Sequence, residues 1–165
     1  MGFPGDLLLH WLEDTGPATA IRESEMLFPM VETVHVVALA LVVGTIAHLD
    51  LRLLSLVSRR RAVTALAREV LPWTWVSFGV ALVSGTLLFS SNALKYYANI
   101  PFRLKIALLT LAGLNMVLFH MLTWPGVRHW DLARPPLAAR LAGGLSLLFW
   151  IGIVAAGRWI GFTMK

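Results

Sequence analysis

The sequence predicts an all-α protein, a four-helix transmembrane bundle with a short N-terminal interfacial helix in front of it. Three observations carry this. Of the 165 residues 58% are hydrophobic and 14% charged, and the mean hydropathy is +0.73, an imbalance foreign to water-soluble domains. Four apolar stretches, at 30–57, 70–91, 103–124 and 141–162, are each long enough to cross ~30 Å of hydrocarbon at ~1.5 Å rise per residue. Lipid offers backbone amides no partner, so each stretch must close its hydrogen bonds internally as a helix.

Residues 1–29 form an N-terminal interfacial segment and 30–165 the four-helix transmembrane domain. The first segment lacks the cationic start and small-residue cleavage site of a signal peptide, and its run Leu7 to Leu9 is too short to span. An amphipathic reading turns Leu7, Leu8, Trp11 and Leu12 to the membrane and Asp6, Glu13 and Asp14 to water. Gly16-Pro17 breaks that helix, a second short turn ends at Pro29, and His10 reads as a wet interfacial histidine.

The first span holds three groups that hydrocarbon excludes, Glu32, His35 and His48, and closes in His48-Leu49-Asp50-Leu51-Arg52-Leu53-Leu54. Ionisable residues inside a span mark function by default. In the second span Ser77, Ala81, Ser84 and Gly85 make a small-residue face. In the third, Lys105, Leu109, Ala112, Met116 and His120 form one stripe, with Asn115 about 80° from it and placed to bond between helices. The fourth carries Gly143, Gly144, Gly152, Ala155, Ala156 and Gly157, which permit close approach of a helix or of a flat cofactor.

The chain has no cysteine, which excludes disulfides, thiolate metal sites and haem attached through C-x-x-C-H. Its pI near 10.5 does not point to nucleic acid, because the cations are grouped at span ends. Arg52, Arg59, Arg60, Arg61 and Arg68 surround the first link, and Arg128, Arg134 and Arg140 the last. The N-terminal segment instead sets Asp6, Glu13, Asp14, Glu23, Glu25 and Glu32 against Arg22. The arginine-rich links are therefore expected in the cytoplasm and both termini in the periplasm of a bacterial inner membrane. Nucleotide and hydrolase motifs such as G-x-x-x-x-G-K-S/T, G-x-G-x-x-G, H-E-x-x-H and G-x-S-x-G are missing, so the ionisable residues carry whatever chemistry there is.

Antiparallel spans sort those residues into two poles. The inner pole collects His48, Asp50, Arg52 and His120, with His129 in the loop beyond. His48 and His120 stand at matching depth on two helices, as a bis-histidine haem b requires, and Gly44 and Gly113 leave room beside them, about 40° and 20° around their helices. The same two histidines also suit a plain interhelical hydrogen bond. Asp50 and Arg52 read as a topology anchor paired with the Arg59–Arg61 run, with Asp50 a candidate proton entry.

The outer pole collects Glu32, His35, Lys105 and Arg158, with Tyr96 and Tyr97 nearby. It reads as a buried charge network, as a quinone headgroup site with His35 donating or accepting and Glu32 moving the proton, or as a grip in which Lys105 and Arg158 hold haem propionates. A second haem at His35 lacks an opposite ligand unless His10 or Lys105 supplies one, and His35 lies roughly 140° around the helix from His48.

The strings Glu32-x-x-His35, His48-x-Asp50-Leu51-Arg52-Leu53-Leu54, Phe102-x-x-Lys105, Asn115 and Gly157-Arg158-Trp159-Ile160 resemble a family of small four-helix bacterial inner-membrane proteins of unknown function, over nearly the whole chain. That resemblance implies topology and location. The histidine placement is also similar in style to cytochrome b subunits, without their second outer-pole histidine and in-phase spacing. The leading expectation is an electron-transfer protein binding haem b at His48 and His120 and exchanging electrons with quinone or a partner redox subunit. Its rivals are a proton-coupled or metal-ion transporter using Glu32, His35 and Lys105, and a non-catalytic accessory subunit, alone or as a homo-oligomer.

Overall fold

The computed structural model describes the backbone of residues 4–164 and the side chains of residues 7–164, and contains no strand among them. The helices are α1 (Pro4–Glu13), α2 (Gly16–Glu23), α3 (Leu27–Leu53), α4 (Val63–Ser91), α5 (Ala93–Ala98), α6 (Ile100–Leu118) and α7 (Leu137–Thr163). Four of them, α3, α4, α6 with the turns that continue it to His129, and α7, are long and apolar enough to cross a membrane. This is a multi-pass membrane protein.

The spans begin and end where local chemistry dictates, which is not always where apolarity stops. Helix α3 ends four residues before the apolar run does, because Ser55 adopts a left-handed conformation at φ 60°. Its N–H bonds the carbonyl of Arg52 at 2.9 Å and that of Leu56 reaches back to Leu51 at 2.9 Å, the paired bonds of a Schellman stop. Helix α4 starts at Val63, about two turns before its apolar stretch, since the segment to Glu69 is polar on one side but rich in helix formers. Asn99 caps α6 by accepting from the Phe102 N–H at 3.1 Å. At its far end α6 widens into a π-helical turn, Phe119–Thr123, just before Pro125, whose ring cannot follow a regular helix.

Helix α3 packs chiefly on α4, α6 on α7, and α7 also on α3. Contact at the α3–α7 crossing is close: a Cβ on Gly143 would stand 3.1 Å from the Asp50 carbonyl oxygen. Asn115 donates to the Ala142 carbonyl at 2.9 Å, joining α6 to α7. The apolar interior is thin and divided, one cluster around Val42, Trp150 and Ile153 and another around Leu53, Val63, Phe119, Val127 and Ala139. Large apolar side chains such as Trp73, Leu82, Leu148 and Ile151 point outward, the distribution a bilayer solvates.

Helices α1 and α2 lie against α4 and α5. Leu7, Leu8 and Trp11 are exposed, as an interfacial face requires, while Ala18 and Ile21 are buried. Glu13, expected to meet water, instead accepts from the Leu94 N–H at 3.0 Å and satisfies the first turn of α5. The side chain of Asp6 lies outside the described residues.

Candidate functional site

At the outer pole α3, α4, α6 and α7 bring a small polar set together inside otherwise apolar surroundings. His35 Nδ1 lies 3.0 Å from Ser84 Oγ, and His35 Nε2 lies 3.5 Å from Lys105 Nζ. The Ser84 hydroxyl spends its proton on the Val80 carbonyl at 2.7 Å. Its oxygen can then only accept, so Nδ1 of His35 carries the proton and Nε2 is left to accept from Lys105. Lys105 has no carboxylate within ion-pair distance among the described residues, which leaves part of its donor capacity open.

Glycines shape this pocket. A Cβ on Gly85 would press to 2.9 Å from His35 Cε1, and one on Gly157 would stand 3.7 Å from Lys105 Nζ. The missing side chain on α4 is what admits the imidazole between the helices, whereas at Gly157 a Cβ would make only ordinary contact with the amine. Beside the pair, an apolar groove of ≈ 670 Å³ runs between α3 and α4 along Met30, Val34, Trp75 and Val83, and Ser84 is the polar residue in its wall. Ser84 thus stands between the groove and His35, which in turn contacts Lys105.

Two expected members of this cluster stand apart from the His35–Lys105 contact. Arg158 is exposed, with its guanidinium 4.9 Å over the Phe162 ring, so its charge is held by an aromatic face and not by Glu32. Glu32 is likewise exposed. Its influence falls on Tyr96 in α5, whose hydroxyl is pushed above its ordinary pKa by burial and, secondarily, by the Glu32 charge. Tyr96 belongs to an aromatic group with Phe89 and Phe102, the last two stacked at 5.2 Å. His10 is exposed on α1 and does not complete a ligand pair.

The inner-pole histidines are each engaged separately. Half-buried His48 places Nε2 3.3 Å from the Ser58 hydroxyl in the following link. His120 is exposed, bonded through Nδ1 to the Met116 carbonyl at 2.9 Å and flanked by Phe119 and Trp124. Gly44 and Gly113 have nothing within 4 Å of a would-be Cβ, and Gly44 is exposed. The two imidazoles thus have separate partners, and no hydrogen bond joins them among the described residues. The helices that carry them both pack on α7. No three His, Asp or Glu side chains come together as a metal cluster among the described residues.

Asp50 and Arg52 also differ from the anchor expected of them. Asp50 is buried with Oδ2 unpartnered, not paired with the arginine run. Arg59 bonds the Ser55 carbonyl, and Arg61 pairs with Glu69. Arg52, only 1% exposed, donates from Nε to the Arg61 carbonyl at 2.8 Å and from Nη2 to the Asp131 carbonyl at 3.1 Å, tying the two arginine-bearing links together. Asp131 in turn accepts from Thr64 N at 2.8 Å and Thr64 Oγ1 at 2.7 Å, capping α4 from a distant loop. Burial alone would raise the Asp131 pKa, but these Thr64 bonds, the Val63 N–H and the Arg52 charge together hold it below the usual carboxylate range.

The profile of a family of unknown function, DUF6644, matches residues 25–163. No curated protein and no solved structure matches the chain.

Proposed function

We propose, for a chain that belongs to this family of unknown function, that it binds a membrane-dissolved quinone and serves quinone-linked electron transfer beside a partner redox subunit. The carrying observation is the apolar groove with Ser84 in its wall, behind which His35 and then Lys105 follow in hydrogen-bond contact. An isoprenoid tail fits an apolar channel open to lipid, and a headgroup carbonyl needs a donor at its inner wall. Ser84 is the polar group within reach: its hydroxyl, turned from the Val80 carbonyl to the quinone oxygen, donates to the headgroup, while His35 Nδ1–H donates to the Ser84 oxygen from behind and Lys105 backs the ring at Nε2. Reduction to the quinol consumes two electrons and two protons. The partner supplies both electrons, and the two protons pass one after the other from His35 through the Ser84 hydroxyl to the quinone oxygens, with Lys105 reprotonating the ring at Nε2 and itself recharged from water after each transfer. Glu32 and Tyr96 at the outer rim give that proton a way to water. The charge distribution supports a bacterial inner membrane with arginine-bearing links in the cytoplasm and both termini in the periplasm, which puts the site in the periplasmic half.

Quinones quench tryptophan fluorescence, and Trp75 lines the groove. Titrating the detergent-purified protein with a short-chain quinone should give saturable quenching that is lost in Trp75→Phe. Affinity should fall about tenfold or more in His35→Ala and Ser84→Ala, as expected for a lost buried hydrogen bond, and stay unchanged in His48→Ala and His120→Ala. Quenching that rises linearly with quinone in the micelle, indifferent to His35, refutes the reading.

A further inference from the structure

At the opposite end of the bundle a cavity of ≈ 560 Å³ opens between the α3–α4 link and the α6–α7 link, and four arginines stand in its wall, Arg52, Arg59, Arg134 and Arg140, without a lining carboxylate. Four guanidiniums around one space repel one another unless an anion joins them. The nearby acids are committed or set apart. Both carboxylate oxygens of Asp131 are taken by Thr64, Glu69 pairs with Arg61, and Asp50 is not part of the wall.

Two residues of the wall, Ser55 and Arg140, each also carry a buried polar atom without a partner, Oγ and Nε, just behind the cavity surface. A buried donor left without an acceptor is costly, and native structures rarely keep one without reason. The wall is fixed in place beforehand. Two nitrogens of Arg52 are tied to the carbonyls of Arg61 and Asp131, and Ser55 is held in the left-handed conformation that ends α3. Guanidinium forks match the oxygens of a phosphate in geometry and charge. Leu54, Leu56 and Leu132 share the same wall, so an apolar neighbour of the anion is accommodated as well.

We infer that this arginine cavity binds a phosphate group, carried by an anionic phospholipid headgroup or as soluble phosphate. The site is separate from the His35 groove and stands or falls independently of it.

The test uses the full-length protein in a neutral detergent, titrated in parallel with phosphatidylglycerol, phosphatidylcholine and inorganic phosphate, with binding read by native mass spectrometry and by the rise in melting temperature. Saturable binding of phosphatidylglycerol over phosphatidylcholine assigns the lipid source, and saturable binding of inorganic phosphate assigns the soluble one. Either supports the proposal when Arg134→Gln weakens it by about tenfold, the loss expected for one charge-assisted contact, and Ser55→Ala weakens it too. Arg134 is exposed, so its variant keeps the fold, checked by an unchanged melting temperature without ligand. Equal uptake of the two lipids with no phosphate binding, or equal affinity in wild type and Arg134→Gln, overturns it.

Discussion

A methyl group on Gly85 would stand 2.9 Å from His35 Cε1, whereas one on Gly157 would meet Lys105 Nζ at an ordinary 3.7 Å. Gly85→Ala should therefore displace the imidazole and cost about 1–3 kcal/mol by overpacking, lowering both the melting temperature and quinone affinity, while Gly157→Ala leaves both near wild type. Tyr96 offers a second readout of the same pole. In a Tyr97→Phe background its ionisation, followed by ultraviolet absorbance, should lie above the ordinary tyrosine range and move down in Glu32→Gln, staying raised because burial is the larger cause. Sequence spacing put His35 and Lys105 on the interior and so found the pair. It read Ser84 as one more small residue, because a short hydroxyl on a Gly/Ala/Ser face is indistinguishable from a packing position until the partner helix is in place. The Ser58 partner of His48 was equally out of reach, lying in a link whose left-handed turn no periodicity announces.

Helix ends and the clasp between links set the stability of the elements. Ser55 holds a conformation that costs a non-glycine residue on the order of 1 kcal/mol, so Ser55→Gly should raise the melting temperature even as it removes the cavity hydroxyl. Arg52→Ala removes a fully buried side chain and both of its charge-assisted bonds between the links and should cost about 2–5 kcal/mol, seen as loss of the folded monomer at moderate temperature. Asp131→Ala removes a cap worth about 1 kcal/mol. Because the folded-state pKa of Asp131 is depressed, its stabilisation is present above the ordinary carboxylate pKa and is lost as pH falls through the lower folded value. Wild-type stability should thus drop more steeply with acid than that of Asp131→Asn, measured by melting temperature from neutral pH downward. The four spans were legible because hydrophobic length is enough to reveal a membrane helix. Their ends were not, since Ser55, the Asp131 cap and the π turn before Pro125 depend on backbone bonds and on a loop 67 residues away.

For the molecule as a whole, bilayer physics makes fold class readable while leaving neighbour relations open. Every span is apolar on most of its surface, so hydropathy tells that a segment crosses but not which helix it touches. Matched depth pairs His48 with His120, but depth alone carries no information about azimuth around a bundle, so their separate partners, Ser58 and the Met116 carbonyl, could not be read from spacing. Orientation is the remaining global property, and charge makes a definite statement about it. Arginines crowd the two links joined by Arg52, and acids crowd the N-terminal segment. Since the native chain has no cysteine, single cysteines can report sidedness without background. In intact spheroplasts a membrane-impermeant maleimide should label Glu25→Cys and spare Arg60→Cys until the membrane is permeabilised, both positions being exposed. The reverse pattern would invert the molecule, moving the His35 groove to the cytoplasmic half and the arginine cavity to the periplasmic face, where the proton path and the anion supply would both have to be argued anew.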